Sequence, residues 1–200
     1  MRGRTAVNMA WRLIPRKFYE RDPQIVAKGL LGKRLIHTLG NDALEGIIVE
    51  TEAYLGPEDP ASRAHHGRKE YNNAMWGKPG TLFIYNVHKY WMLNIVAHEP
   101  GRVGAVLVRS LEPIRGVEVM KTNRGTEDLV ELTNGPGKLT EALRIRKDLN
   151  ATDVTSNISQ ISLTDTEMSF RIESSHRIGV REDLRRKLRF FIKESDYVSR

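Results

Sequence analysis

From Arg21 onward the chain alternates short apolar runs with polar breaks punctuated by glycine and proline. In "RDPQIVAKGLLG", Asp22 is placed to cap, Pro23 takes the first helical position and Gly32 follows the last apolar residue, a pattern that predicts a helix. "KRLIHTLGNDALEGIIVETEAYL" predicts two strands around a turn at Gly40-Asn41-Asp42. "GTLFIYNV" and "AVLVRSLEP" predict two more, the second apolar enough to be central. "EPIRGVEVMKTNRG" sets Ile114, Val117 and Met120 on one stripe and predicts a helix. "NGPGKLTEALRI" predicts another, with Pro136 and Gly137 in its first turn. Short strands are expected near 158–163 and 169–173. Leu188, Phe190 and Ile192 alternate with Arg189, Phe191 and Lys193 in a closing strand. Residues 57–80 are polar and rich in Gly and Pro, a long loop or short irregular helix of the kind that usually carries function. The first fifteen residues form a flexible, at most partly docked arm, and 16–200 form one domain. No βαβ series is visible, so the pattern gives a mixed α+β class and argues against a doubly wound parallel sheet.

Composition narrows the partners. The chain has 200 residues, of which 40% are hydrophobic, enough to build a core. Its formal net charge of +7 favours a polyanionic partner such as nucleic acid. It contains no cysteine, which removes disulfides, thiolate metal sites and cysteine nucleophiles. No run approaches the roughly 20 apolar residues needed to span a bilayer, and the basic N-terminus lacks a signal-peptide core. A soluble, cytoplasmic protein without membrane contact is expected.

The chemistry concentrates in "IIVETEAYLGPED". Side chains alternate along a strand, so Ile47, Val49, Thr51 and Ala53 share one face and Ile48, Glu50, Glu52 and Tyr54 the other. The acidic face meets either solvent or a pocket. Two features favour a pocket: the strand runs into a Gly/Pro loop, and Tyr54 accompanies the carboxylates. A carboxylate there can serve as a general base on water. Other constellations are weaker. His65 and His66 are adjacent and diverge, with no third ligand at a familiar spacing. "AHEPG" is not HExxH, and no G-x-S-x-G elbow occurs.

In order along the chain, "IVETEAYLGPEDPAS", "KPGTLFIY", "LNIV", "VLVRSLEP", "NGPGKL" and "RIGV…LRFFI" resemble the alkyladenine (3-methyladenine) DNA glycosylase family, from about Phe18 to the C-terminus. The resemblance implies a single compact domain with a curved, mainly antiparallel sheet and surrounding helices. It also implies a monofunctional hydrolase without a lyase step or cofactor. Such an enzyme flips alkylated, deaminated or etheno-modified purines from double-stranded DNA and cuts the N-glycosidic bond, leaving an abasic site. A monomer is the simplest form for a protein that scans duplexes. Glu52 matches the general base, whose task is to stabilise an oxocarbenium-like sugar and deprotonate water. Glu50 is given no chemistry; it either forms a structural ion pair or tunes Glu52 by repulsion.

Tyr54 and Tyr85 match the two aromatics that stack on the flipped base, although plain core packing would also explain Tyr85. Asn94 matches a pocket-floor residue that bonds a purine edge and crowds out a guanine amino group. Arg109, alone in an apolar strand, needs a carboxylate, a phosphate or the water site near Glu52 as partner. Arg63 departs from the pattern, standing where many members have histidine. It only donates hydrogen bonds, so it is expected to favour acceptors such as O6 of hypoxanthine over cationic 3-methyladenine. His88, with Tyr90 second, is the side chain expected to fill the gap in the duplex, and Met75 matches a residue that presses into the opposite strand. Gly135 and Lys138 are expected to hold phosphate at a helix start, and Arg177 and Gly179 match a late DNA-contacting loop. The competing readings are a basic nucleic-acid-binding module with a disabled pocket, and a nucleosidase acting on free nucleosides.

Overall fold

The computed structural model describes residues 12–40 and 42–199. In chain order these form α1 (Arg16–Tyr19), α2 (Pro23–Leu30), β1 (Arg34–Leu39), β2 (Asp42–Tyr54), β3 (Leu82–Val87), β4 (Tyr90–Val96), β5 (Ala105–Arg115), α3 (Val117–Arg124), α4 (Pro136–Ala142), β6 (Ile161–Thr164), β7 (Ile172–Ser175) and β8 (Arg189–Ile192). The strands join one sheet in the order β3-β4-β5-β2-β1-β6, with β8 paired to both β2 and β7. Every strand pairing is antiparallel. The class is α+β in a single compact domain, as the pattern implied.

The helix predicted after Asp22 forms where its caps place it. The Asp22 carboxylate accepts from the Gln24 amide at 2.7 Å and Pro23 opens the first turn. Val26, Ala27 and Leu30 are buried; burying the Val and Leu side chains stabilises the fold by about 1.5–3 kcal/mol each. Gly32 then turns at φ +75°, and its amide donates to Ile48 O at 2.8 Å, which brings the chain straight onto β2. Thr51 on β2 donates back to Ala27 O of α2 at 2.9 Å, so α2 covers the face opposite the glutamates.

The long strand β2 organises everything else. β1 pairs with residues 42–47 along one edge, β8 takes over that edge from Glu50 to Glu52, and β5 runs along the other. Three register shifts interrupt the β2–β5 ladder: Glu45 pairs with Arg115 and Gly46 with Pro113, leaving Ile114 extra on β5, and two more follow. Ile48 pairs with Leu111 and Glu50 with Ser110, leaving Val49 as an extra residue; Thr51 then pairs with Val108, leaving Arg109 extra on β5. Bulges bend a strand and re-aim its side chains, and here one of them sits at the arginine that faces both glutamates.

Several expectations move. "YWMLNIV" is strand β4, which the apolar pattern alone did not predict. The helix expected from Glu112 begins only at Val117, because residues up to Arg115 remain paired with β2. Ile114 is therefore exposed rather than on a helical stripe. The two late strands lie a few residues beyond their expected places, and 57–80 contains one 3-10 turn, Asn73–Trp76. Of the proposed arm, residues 1–11 lie outside the described residues, as does Asn41 of the turn. Residues 12–15 are docked: Leu13 bridges Thr164, and Ile14 is buried with its amide on Leu163 O.

Candidate active site

Glu50 and Glu52 are both fully buried, and one guanidinium joins them. Arg109 donates from Nε to Glu50 Oε1 at 2.8 Å, while its Nη1 lies 3.1 Å from Glu52 Oε1. The solvated-face alternative for this side of β2 is thereby overturned: β8, the Arg177 loop and the C-terminal segment cover it.

The two carboxylates have different surroundings. Glu50 accepts from Arg189 Nε at 2.6 Å, Ser110 Oγ at 2.9 Å, and Ser199 through both N at 2.6 Å and Oγ at 2.8 Å, besides Arg109. Burial raises its pKa, but Arg109, Arg189 and the Ser199 amide outweigh burial and hold it below the ordinary glutamate value. Glu50 is thus a structural anion, the first of the two roles left open for it. Glu52 accepts from the Tyr54 hydroxyl at 2.8 Å and the Ile178 amide at 2.8 Å. Here burial prevails over Arg109, Ile178 and Tyr54, with Glu50 adding repulsion, and the pKa is raised. One carboxylate is locked as a charge and the other is poised to take a proton, the contrast that general acid–base chemistry uses. Tyr54 stays a phenol, because burial and the neighbouring Glu52 push its own pKa well up.

Around this pair the predicted residues divide. Arg63 lies with its guanidinium 4.7 Å from the Tyr85 ring centroid, and Tyr85 stacks on Phe83 at 5.0 Å. Tyr54, Tyr85 and Phe83 belong to one side cluster with Ala64, Val96 and Ala105, so Tyr54, Arg63 and Tyr85 are brought together. Asn94 is buried beside them, and its amide nitrogen donates to Phe83 O and Met92 O at 3.1 and 3.2 Å. Its donors therefore hold the β3–β4 backbone, which leaves crowding and its oxygen for a ligand.

Four residues expected to face DNA have partners within the protein. Met75 is buried in the same side cluster. Arg177 has no exposed side-chain surface. It donates to both oxygens of Asp59 at 2.7 Å, to Asp183 Oδ1 at 2.6 Å and to Ala53 O at 3.0 Å, and lies 4.7 Å from the Tyr54 ring centroid. It is a clamp that sets Ile178 N on Glu52. Lys138 donates to Glu131 at 2.5 Å and Asn134 at 2.8 Å and so is turned onto its own neighbours. Tyr90 packs on Gly137, where a Cβ would stand 2.7 Å from the ring, so it supports α4. By contrast His88 is exposed at the tip of the β3–β4 hairpin, with φ +53° in the two-residue turn. Gly179, at φ +76°, is exposed as well. Gly135 precedes α4 in an extended conformation.

Sequence reasoning missed Asp59, Asp183, Arg189 and Ser199. Asp59 lies inside a quoted motif and Arg189 inside the closing strand, so both were visible as residues; only the sheet register and the loop path show whom they meet. Two cavities of about 600 and 710 Å³ open elsewhere, one along Arg12–Arg21 and one between Tyr90 and Arg144, and Glu52 lines neither. Among the described residues no group of three or more His, Cys, Asp or Glu gathers as a metal site.

Fold and site together define a buried carboxylate–guanidinium centre on an antiparallel sheet, beside an aromatic cluster, in a basic protein. The profile described as methylpurine-DNA glycosylase matches residues 17–196, and the chain belongs to that family of DNA-repair glycosylases, which are hydrolases. Three relatives each carry the name "Putative 3-methyladenine DNA glycosylase". That of Aeropyrum pernix is 38% identical over 192 residues, covering 94% of each chain. That of Carboxydothermus hydrogenoformans is 40% identical over 190 residues, 94% of this chain and 99% of its own. That of Legionella pneumophila is 38% identical over 193 residues, with the same coverage.

Proposed function

We propose that this chain removes damaged purines from double-stranded DNA by hydrolysing the N-glycosidic bond, with Glu52 as the general base. The observation that carries the reading is the Glu52 environment: a buried carboxylate of raised pKa, with Arg109 on one oxygen and two neutral donors completing it. A carboxylate so held can accept a proton from water while its charge stabilises the developing sugar cation. The water's oxygen forms the new bond to the anomeric carbon, the purine leaves with the bonding pair, and an abasic site remains. The protein residues suffice for this step, without an imine-forming lysine. Arg109, anchored by Glu50, offsets part of the cost that burial places on the ionised Glu52.

The base pocket is assigned to Tyr54, Tyr85 and Arg63, with Asn94 as its floor. Stacking of an alkylated, cationic purine on Tyr85 requires Arg63 to leave the ring face it covers, since Phe83 stacks on that ring as well. Arg63 lies over the Tyr85 face, and its fixed charge favours lesions that offer acceptors, hypoxanthine and ethenoadenine over 3-methyladenine. His88 at the hairpin tip is the proposed wedge in the duplex. The single described domain carries both chemistry and DNA contact, working as a monomer in the cytoplasm or nucleoid.

One observation favours the rival reading, a binding module without chemistry: Glu52 is 0% exposed and every oxygen has a protein partner. The hydrolytic reading requires Tyr54 or Ile178 to yield as a nucleotide is everted. The test is single-turnover release of base from duplexes carrying hypoxanthine, ethenoadenine, 7-methylguanine or 3-methyladenine, with chelator present and free nucleosides as control. Release from DNA alone, with strands intact until alkali is added, is expected. Salt-sensitive DNA binding without release from any lesion establishes the binding module instead.

A further inference from the structure

The segment after β8 returns to the centre of the molecule and ends its described course against the glutamates. Ser199 is nearly buried there and makes five contacts. Its amide donates to Glu50 Oε2 at 2.6 Å and its hydroxyl donates to Glu50 Oε1 at 2.8 Å. The same hydroxyl accepts from Arg109 Nη2 at 3.1 Å and, more weakly, from Nε at 3.4 Å. Its carbonyl accepts from Arg189 Nη2 at 2.9 Å. A hydroxyl offers one donor and two acceptor positions, and this one spends the donor on the carboxylate and its lone pairs on the guanidinium.

We propose that Ser199 is a positioning residue for Glu52: bridging Glu50 and Arg109, it fixes the guanidinium so that Nη1 lies on the Glu52 carboxylate. Guanidinium geometry gives the reason. Nε and Nη2 share one edge of the plane, and that edge is occupied by Glu50 and Ser199; Nη1 projects from the other side toward Glu52. Without the hydroxyl, Nη2 has no acceptor at that place, and the edge can turn to grip Glu50 in the two-pronged manner arginine favours. Nη1 then leaves Glu52. The cation that opposes burial is weakened, and the carboxylate holds its proton more tightly. The inference rests on the reading of Glu52 as base for its kinetic consequence, but not for its geometric one.

The experiment compares parent, Ser199→Ala, Ser199→Thr and Ile192→Val. Ile192 is a buried residue at the end of β8, and its truncation gives a comparably mild loss of stability without touching the bridge. Protein carrying 13C at the glutamate carboxyls is titrated by NMR, with the Glu52 signal assigned from Glu52→Gln. The expected result is a Glu52 midpoint about 0.5 pH unit or more higher in Ser199→Ala. The acid limb of single-turnover base release moves the same way and the rate at neutral pH falls at least about threefold, with lesion-DNA affinity held. Ser199→Thr restores both, and Ile192→Val moves neither. Coincident Glu52 midpoints in parent and Ser199→Ala overturn the inference, as does an equal displacement in Ile192→Val. A parent that releases no base defeats the hydrolytic reading instead, and the NMR comparison alone then decides Ser199.

Discussion

Glu52→Gln separates the chemistry of the site from its stability. Glutamine keeps the shape of the side chain and one acceptor oxygen, so Ile178 N and Arg109 Nη1 retain a partner, while the new amide group faces the Tyr54 oxygen, which can accept. What is lost is the charge. The surrounding cluster holds two carboxylates, Glu50 and Glu52, against two guanidiniums, Arg109 and Arg189, and Glu50 alone still engages both cations in the variant. Burial is the largest influence on Glu52 and leaves its folded pKa above the unfolded one. A carboxyl of raised pKa stabilises the fold fully below its unfolded value and loses that contribution as pH rises through its folded value. Above that folded value the ionised form is a liability that the neutral isostere escapes, and there the variant should melt at or above the parent temperature.

Activity should move the other way. Loss of a positioned general base costs typically 10²–10⁴ in rate, about 2.7–5.4 kcal/mol of barrier. Single-turnover release from a hypoxanthine duplex at pH 7, fluorescence anisotropy for affinity and a thermal melt together test this. Expected are a rate lower by at least about a hundredfold, affinity within about threefold and an undiminished Tm. For a chain of this size 1 kcal/mol corresponds to roughly 2–4 °C. A variant that releases base within threefold of the parent refutes Glu52 as base. A fall in Tm beyond about 4 °C refutes the claim that its charge is carried for function.

Three further outcomes follow from the same network. Because Glu52 works only when ionised and its pKa is raised, release should decline on the acid side at a pH above the ordinary glutamate range, in single-turnover profiles where chemistry limits; a flat acid limb contradicts the assignment. Arg177→Ala leaves the buried Asp59 carboxylate without its bidentate partner, and should cost about 3–5 kcal/mol, roughly 6–20 °C in Tm; a melt within 2 °C of the parent would show that Arg177 is no clamp. Arg63→His should raise 3-methyladenine release relative to hypoxanthine, read as the ratio of single-turnover rates, and an unchanged ratio removes Arg63 as a selector.

What the sequence disclosed was what local grammar encodes. Asp22, Pro23 and Gly32 announced α2, and alternation announced β2, because each signal sits within one turn or one strand of the element it marks. β4 escaped because "YWMLNIV" is buried along most of its length, so it shows an apolar run rather than alternation. α3 was begun too early because Pro113 lies in β5, in a residue pair at a register shift, where the missing amide is tolerated. The site followed the same division. Glu52, Tyr54 and Arg109 could be named from motifs, but their partners could not: Arg177 meets Asp59 across 118 residues and Ser199 meets Glu50 across 149.

The basic charge of the chain, which first suggested nucleic acid, is consequently two populations with different work. Arg109, Arg177 and Arg189 are drawn inward by Glu50, Glu52, Asp59 and Asp183, and they contribute nothing to an external field that those carboxylates do not cancel. Arg181, Arg185, Arg186 and Lys187 are exposed on the loop between the Arg177 clamp and β8. Substituting the exposed set should weaken salt-dependent association with a polyanion while leaving the melt nearly unchanged. Substituting the buried set should do the reverse. A basic residue's distance from a carboxylate, which sheet register fixes and composition does not, decides to which population it belongs.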